Sequence, residues 1–150
     1  MKDKRFETIY EAASTLFIKQ GYQNTQVSEI AKEASIATGS VYNVFAGKKA
    51  ILTFVIYHTL MDHSLEPTIP FSVIEDNKMI VRLNEIIAPF LVSLNEKDSL
   101  NRPKISFEEL LSKLFDLVSK YHKAFTLINN HKNELRNVES VYRSYVDELY

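Results

Sequence analysis

The sequence predicts an all-α protein with a small helix-turn-helix head on a larger helical body. Apolar residues recur at i, i+3, i+4 and i+7 through most of the 150 residues, which is the period of amphipathic helices and not of strands. Four Pro and three Gly are too few for a turn-rich β fold. Residues 25 to 49, TQVSEIAKEASIATGSVYNVFAGKK, hold two short helical patterns that meet at a tight joint.

Taken in order, the first helix is expected from about Lys4 to Gln20, with Ile9, Ala12, Ala13, Leu16 and Phe17 on one face and Gly21 stopping it. Tyr22 then has a ring available to pack back on the bundle, and Asn24 or Thr25 offers a side-chain oxygen to cap the next helix. In that second helix Val27, Ile30, Ala31 and Ala34 make the apolar stripe, and Ser35-Ile36 is the joint. The third helix runs from Thr38 through Val41 and Tyr42 to Phe45, and its first turn, Thr38-Gly39-Ser40, contains only small residues. Phe45, Leu16, Phe17 and Ile30 read as core. Ala46-Gly47 breaks the pattern, and Lys48 opens a fourth helix through Ile51, Leu52, Val55, Ile56 and Leu60.

Residues 66 to 70, EPTIP, end that helix, because proline removes a donor and restricts the residue before it. Met79, Ile80, Leu83, Ile86, Ile87, Phe90, Leu91 and Leu94 then keep helical spacing with Pro89 inside the run, where a kink or a break is expected. NEKDSLNRPK, residues 95 to 104, is a polar connection. Ser106 with Glu109 three places on makes a capping box. The long helix that follows carries Leu110, Leu111, Leu114, Val118, Tyr121, Phe125 and Ile128. From about Lys132, Leu135, Val138, Val141, Tyr142, Tyr145 and Leu149 share a stripe that reaches Tyr150 in mid-pattern. An uncapped end of this kind reads as a chain cut short.

Two short helices on a tight turn form the plan in which the second helix enters a DNA major groove by its N-terminal end. Bulk charge adds little to this. Residues 1 to 50 carry seven Lys or Arg against five Asp or Glu, and residues 51 to 150 carry eleven against fourteen, within a net charge of −1. A DNA-binding role therefore rests on the arrangement of residues.

Other classes are thinly supported. With no Cys, neither a disulfide framework nor a thiolate metal site is possible. The sequence offers no Gly-rich phosphate loop, nucleophile elbow or cofactor motif, and Glu108-Glu109 reads as a favourable acidic first turn. His58, His63, His122 and His131 include no i, i+4 pair, so no helical metal clamp and no metal site is expected. No apolar run approaches a membrane span, and MKDKRFE lacks the apolar core of a signal peptide. The expectation is a cytoplasmic protein that is not an enzyme and carries no cofactor.

The spacing Ala12-Ala13, Leu16-Phe17, Gly21-Tyr22, Thr25, Val27, Ile30-Ala31, Ala34, Ile36, Gly39, Val41-Tyr42, Phe45, Lys48 and Leu52 resembles the TetR family of bacterial transcription regulators over roughly the first third of the chain. The resemblance implies a DNA-binding head (1–47) joined by the fourth helix to a ligand-binding and dimerisation body (48–150, incomplete if the chain is cut short). It implies a homodimer that reads a palindromic operator and is released by a small-molecule effector, as a repressor would be. It places Thr38, Gly39 and Ser40 at base edges, with Asn43 one turn later; Asn pairs bidentately with adenine. It aims Tyr42, Lys48 and the start of the second helix, Thr25, Gln26 and Ser28, at phosphates, contacts that position without specifying sequence.

Plainer roles stand beside these. Tyr42 serves equally to close the small core, Lys48 to start a helix in solvent, and Thr38 and Ser40 to cap. Two positions depart from the family pattern: Val44 stands where His or Tyr is common, and Ser35 replaces the usual turn Gly. In the body, Phe54, Tyr57, Phe90, Phe115, Tyr121 and Phe125 are candidates to line an apolar effector pocket, with packing as the alternative for each. The second functional reading is a helical ligand-binding or protein-interaction module without specific DNA binding.

Overall fold

The computed structural model describes residues 3–65, 67–74, 76–135, 140 and 143, the side chains of 76 and 77 excepted. Among them are six helices: α1 (Lys4–Gln20), α2 (Val27–Glu33), α3 (Thr38–Val44), α4 (Lys48–Leu60), α5 (Asp76–Asn95) and α6 (Phe107–Asn130).

The centre of the molecule is α4. Its sequence, KKAILTFVIYHTL, is apolar on nearly every side, and a helix of that kind has to be surrounded. Ten of its residues, from Ala50 to Leu60, are buried, and α1, α5 and α6 all pack against it. The core runs from the head into the body without a gap: Ile9, Ala13 and Phe17 of α1, Ile30 of α2, Val41 and Val44 of α3 and Leu127 of α6 belong to one buried cluster.

Helix α1 begins on Asp3, whose carboxylate accepts the Arg5 N–H at 3.0 Å, and it ends at Gly21, where φ is 82°. Phe6 and Tyr10 join the predicted core face, whereas Leu16 is only partly buried. Helix α4 stops at Leu60, well before the prolines: Met61, Asp62 and His63 turn the chain back, and the His63 N–H reaches the His58 carbonyl at 2.9 Å. The Arg82 guanidinium of α5 donates to the Leu60 carbonyl at 2.8 Å, placing a cation at the negative end of α4.

The stretch after α4 returns to the head. Phe71 N–H donates to the Val44 carbonyl at 2.6 Å, Ala46 N–H donates to the Phe71 carbonyl at 2.9 Å, and the Phe45 and Phe71 rings lie 5.7 Å apart. Helix α5 continues through Pro89 without the break that the sequence allowed. The connection to α6 is organised by Asp98, which accepts the N–H groups of Leu100 at 2.8 Å and Arg102 at 3.0 Å. The capping box forms as the sequence predicts, with Ser106 N–H on the Glu109 carboxylate at 3.0 Å and Glu109 N–H on the Ser106 hydroxyl at 3.1 Å.

Only the second half of α6 is packed: Tyr121, Ala124, Leu127 and Ile128 are buried, while Phe107, Leu111, Leu114, Phe115 and Val118 are exposed. Of the stripe predicted for the last segment, Leu135 is buried; Val138, Val141, Tyr142, Tyr145 and Leu149 lie outside the described residues. Among the described residues no helix is long and apolar enough to cross a membrane.

Candidate nucleic-acid interface

The candidate face is built on α2 and α3, each only seven residues long and neither stable alone. Buried anchors hold them. Val27, Ile30 and Ala31 pin α2, Val41 and Val44 pin α3, and Phe45 follows fully buried. Val44 thus fills core at the position where the family pattern more often puts a polar ring, and the third helix gains rigidity in place of an outward contact.

The start of α2 differs from expectation. Neither Asn24 nor Thr25 caps it: Gln26 is the cap residue, and the Glu29 carboxylate accepts its N–H at 2.7 Å. Thr25 is fully buried, with its hydroxyl donating to the Gly21 carbonyl at 2.7 Å. Its side chain closes the turn between α1 and α2 and does not face outward, which corrects the phosphate-side placement suggested by resemblance.

The joint between α2 and α3 is a complete Schellman motif. Ile36 N–H donates to the Ala31 carbonyl at 2.9 Å and Ser35 N–H to the Lys32 carbonyl at 3.1 Å, with Ser35 in the left-handed region at φ 57°. Glycine would take this conformation without strain, and serine costs about 1–2 kcal/mol there. The two hydrogen bonds and the anchored helices on either side hold it in place.

Outward from this frame point Gln26, Ser28, Thr38, Gly39 and Asn43, all exposed, with Ser40 half-buried. Tyr42 is 54% exposed, which sets aside the role of core closure for its ring. Neither Thr38 nor Ser40 is the cap of α3; that position is Ala37, which has no side-chain oxygen to offer. Gly39 has an ordinary backbone conformation, and a Cβ added to it would meet no atom of the chain within 4 Å. Glycine is a poorer helix former than alanine, by about 1 kcal/mol in a helix interior and less in a first turn such as this. Nothing within the fold requires it.

Lys48 is placed differently. Its ammonium donates to the Tyr22 carbonyl at 2.8 Å and the Thr25 carbonyl at 3.1 Å and lies 4.2 Å from the centroid of the Tyr22 ring. The cation at the start of α4 therefore finds partners inside the head, stapling the α1–α2 turn, beside the phosphate contact that the resemblance implies. The same turn is held from the body by a residue that sequence patterning missed. His131, almost fully buried, has Nδ1 2.7 Å from the Leu127 carbonyl and accepts the Tyr22 N–H on Nε2 at 3.0 Å. With Nε2 as acceptor, Nδ1 carries the proton and donates to Leu127. The contact spans 109 positions of sequence, beyond the reach of any local pattern.

The six aromatic candidates for an effector pocket do not converge. Phe54 sits at the centre of the core among Phe6, Phe45, Phe71 and His58, with ring centroids 5.1–5.4 Å away. Phe115 is 71% exposed on the unpacked half of α6. Tyr121 is buried beside half-buried Phe125 at 6.2 Å, and Tyr57 and Phe90 are half-buried. None of the six lines the cleft of about 330 Å³ beside Glu7, Glu11 and Glu33 or that of about 370 Å³ beside Leu91 and Asn95. The packing around α4 makes Phe54 core, and Phe115 stands outside on the unpacked half of α6.

Residues 9–53 match the family model described as bacterial regulatory proteins, tetR family. The HTH-type transcriptional regulator HbdR of Aromatoleum sp. (strain CIB) is 36% identical over 64 residues, covering 43% of this chain and 28% of that protein. The fatty acid metabolism regulator protein of Bacillus subtilis (strain 168) is 43% identical over 54 residues, covering 35% and 28%. The transposon Tn10 TetC protein of Escherichia coli is 23% identical over 138 residues, covering 77% and 64%. Each matched stretch spans less than two thirds of the relative's own length. Among solved structures, the fatty acid degradation regulator FadR from Bacillus halodurans aligns with 99% of this chain and 66% of its own at 20% identity and a TM-score of 0.48.

Proposed function

We propose, from the match of residues 9–53 to the tetR family model, that the chain is a TetR-type transcriptional regulator that binds duplex DNA with the outward face of α2 and α3. The observation that carries this is Gly39: an exposed glycine in a helix, costly to the fold and required by no neighbour within it. A bare backbone there gives a DNA strand room to come close. Thr38, Ser40 and Asn43 flank it with hydrogen-bonding groups suited to base edges, and Gln26, Ser28 and Tyr42 stand outside them with groups suited to phosphate oxygens.

In this reading residues 1–47 are the DNA-binding domain and 48–150 the regulatory one. Two copies read the halves of a palindrome, and a small-molecule effector releases them by binding better to a state whose head spacing no longer matches the DNA. The role is that of a repressor. Lys48 and Thr25 contribute by shaping the turn that precedes α2.

Selection from a randomised duplex library tests the reading. Recovery of an inverted repeat is expected. Gly39→Ala, which gains helix propensity, is expected to keep or raise stability and to lose the selected site, and Asn43→Ala to relax preference at one position of it. Failure to enrich any sequence, at low salt as well as high, would overturn the proposal in favour of an interaction module.

A further inference from the structure

The turn that ends α4 brings together three side chains that no sequence pattern connects. Glu7 lies in the first turn of α1, His58 in the last turn of α4 and His63 in the turn beyond it. One ligand-capable atom from each lies within 4.8 Å of the other two. His58 Nε2 lies 3.7 Å from Glu7 Oε2, and the two imidazoles stand perpendicular with centroids 4.9 Å apart. Ligands bound about 2.0–2.1 Å from a tetrahedral zinc ion lie about 3.3 Å from one another, so no edge of the cluster needs to contract by more than about 1.5 Å.

We propose that Glu7, His58 and His63 form a three-ligand site for a divalent transition-metal ion of the zinc type, with a fourth position open to water. The donor set, two imidazoles and a carboxylate, suits zinc and its neighbours rather than magnesium or calcium, which take oxygen ligands. His58 is 4% exposed and fixed by stacking on Phe54 at 5.1 Å and by the edge of Tyr10 at 5.1 Å, while Glu7 and His63 are exposed. The site is therefore a bowl with a rigid floor and an open rim.

The backbone also has a bearing on the site. Asp62 and His63 are consecutive non-glycine residues in the left-handed region, at φ 51° and 59°, each costing about 1–2 kcal/mol. That conformation carries His63 back over the end of α4, to a ring centroid 5.0 Å from that of Tyr10. The i, i+5 spacing, which no straight helix can use as a clamp, becomes workable through this turn. Two lysines of α6 come near, and each is set against a carboxylate: Lys120 on Asp62 at 2.8 Å and Lys123 facing Glu11 at 3.8 Å. An ion held here ties the first helix of the head to the far end of α4 and so fixes the angle between head and body.

The test is a titration of the untagged, chelator-stripped chain with Co(II), followed by its displacement with Zn(II). One equivalent of Co(II) is expected to raise the visible d–d bands of a low-coordinate nitrogen and oxygen site, and Zn(II) to abolish them. Glu7→Gln keeps the side-chain shape, and His63→Gly suits the left-handed backbone, so both variants retain the fold. Each is expected to weaken binding by at least about the 100-fold that loss of a mere outer-shell partner can cost. Absence of the bands in the parent chain, or their survival in the double variant, overturns the site. The DNA reading fails separately: library selection run with Zn(II) and with chelator reports on it whether or not Co(II) binds.

Discussion

Replacing Lys48 by methionine separates two accounts of the same cation, because the stem is kept and only the ammonium is lost. The structure gives that ammonium two carbonyl acceptors, at 2.8 and 3.1 Å, and an aromatic face at 4.2 Å. Hydrogen bonds to a charged group contribute about 1.5–3 kcal/mol each, and an exposed cation–π contact about 0.5–1. Lys48 is half-buried, so water competes for the ammonium and the low end applies. Tyr22's carbonyl also keeps a second donor, the Thr25 N–H at 3.2 Å. A loss of about 2 kcal/mol is expected, which for a chain of this size lowers Tm by about 4–8 °C. Urea unfolding should show a lower midpoint with an unchanged m-value. At a temperature where the variant stays folded, the dependence of DNA affinity on salt should keep its slope. An unchanged midpoint together with a slope shallower by about 1.8, one phosphate for each of the two copies, would mean that Lys48 neutralises a phosphate, and the staple would be refuted.

Ser35→Gly relieves the left-handed strain at φ 57° and is expected to stabilise the head by about 1 kcal/mol, read as a higher urea midpoint. His131→Ala removes the acceptor of the Tyr22 N–H at 3.0 Å and leaves a hole against Phe17; a loss of about 2–4 kcal/mol is expected in denaturant unfolding, with earlier amide exchange at Tyr22. The backbone N–H and then the hydroxyl of Ser106 hold the Glu109 carboxyl below its ordinary value. Because its folded value is depressed, the stabilisation is complete above the ordinary carboxylate value and is lost as pH falls through the lower, folded one. Ser106→Ala removes the hydroxyl and keeps the backbone N–H, and is expected to raise the Glu109 titration, followed by NMR, only part of the way to the ordinary value.

Much of the fold is legible in the sequence because local rules dominate where helices are short and their ends are marked. Gly21, the Gly47-Lys48 boundary and the Ser106–Glu109 box set helix ends through backbone freedom and capping, interactions that span four residues or fewer. Elsewhere the marker was missing or pointed to the wrong place. Ser35 occupies a glycine's conformation without being glycine, and α4 ends at paired left-handed residues several positions before the prolines.

The candidate DNA face divides along the same line. Thr38, Gly39, Tyr42 and Asn43 are outward because Val41 and Val44 must be inward, and helical periodicity decides both at once. Thr25 and Lys48 cannot be assigned by that logic. Their partners are carbonyls of a turn, and a carbonyl is present at every residue, so no pattern of side chains announces which one will be reached.

By itself, then, the sequence determined the helical class, the order and ends of most helices, the two-helix head and the face it turns to solvent, since each follows from contacts within a turn or two of the chain. Tertiary structure alone decided how the parts are joined. It brought His131 to Tyr22 across 109 positions, buried Phe54 while leaving Phe115 exposed, and gathered Glu7, His58 and His63 at one end of α4. Those outcomes depend on which helix surrounds which, and that is set by the packing of the whole core around α4.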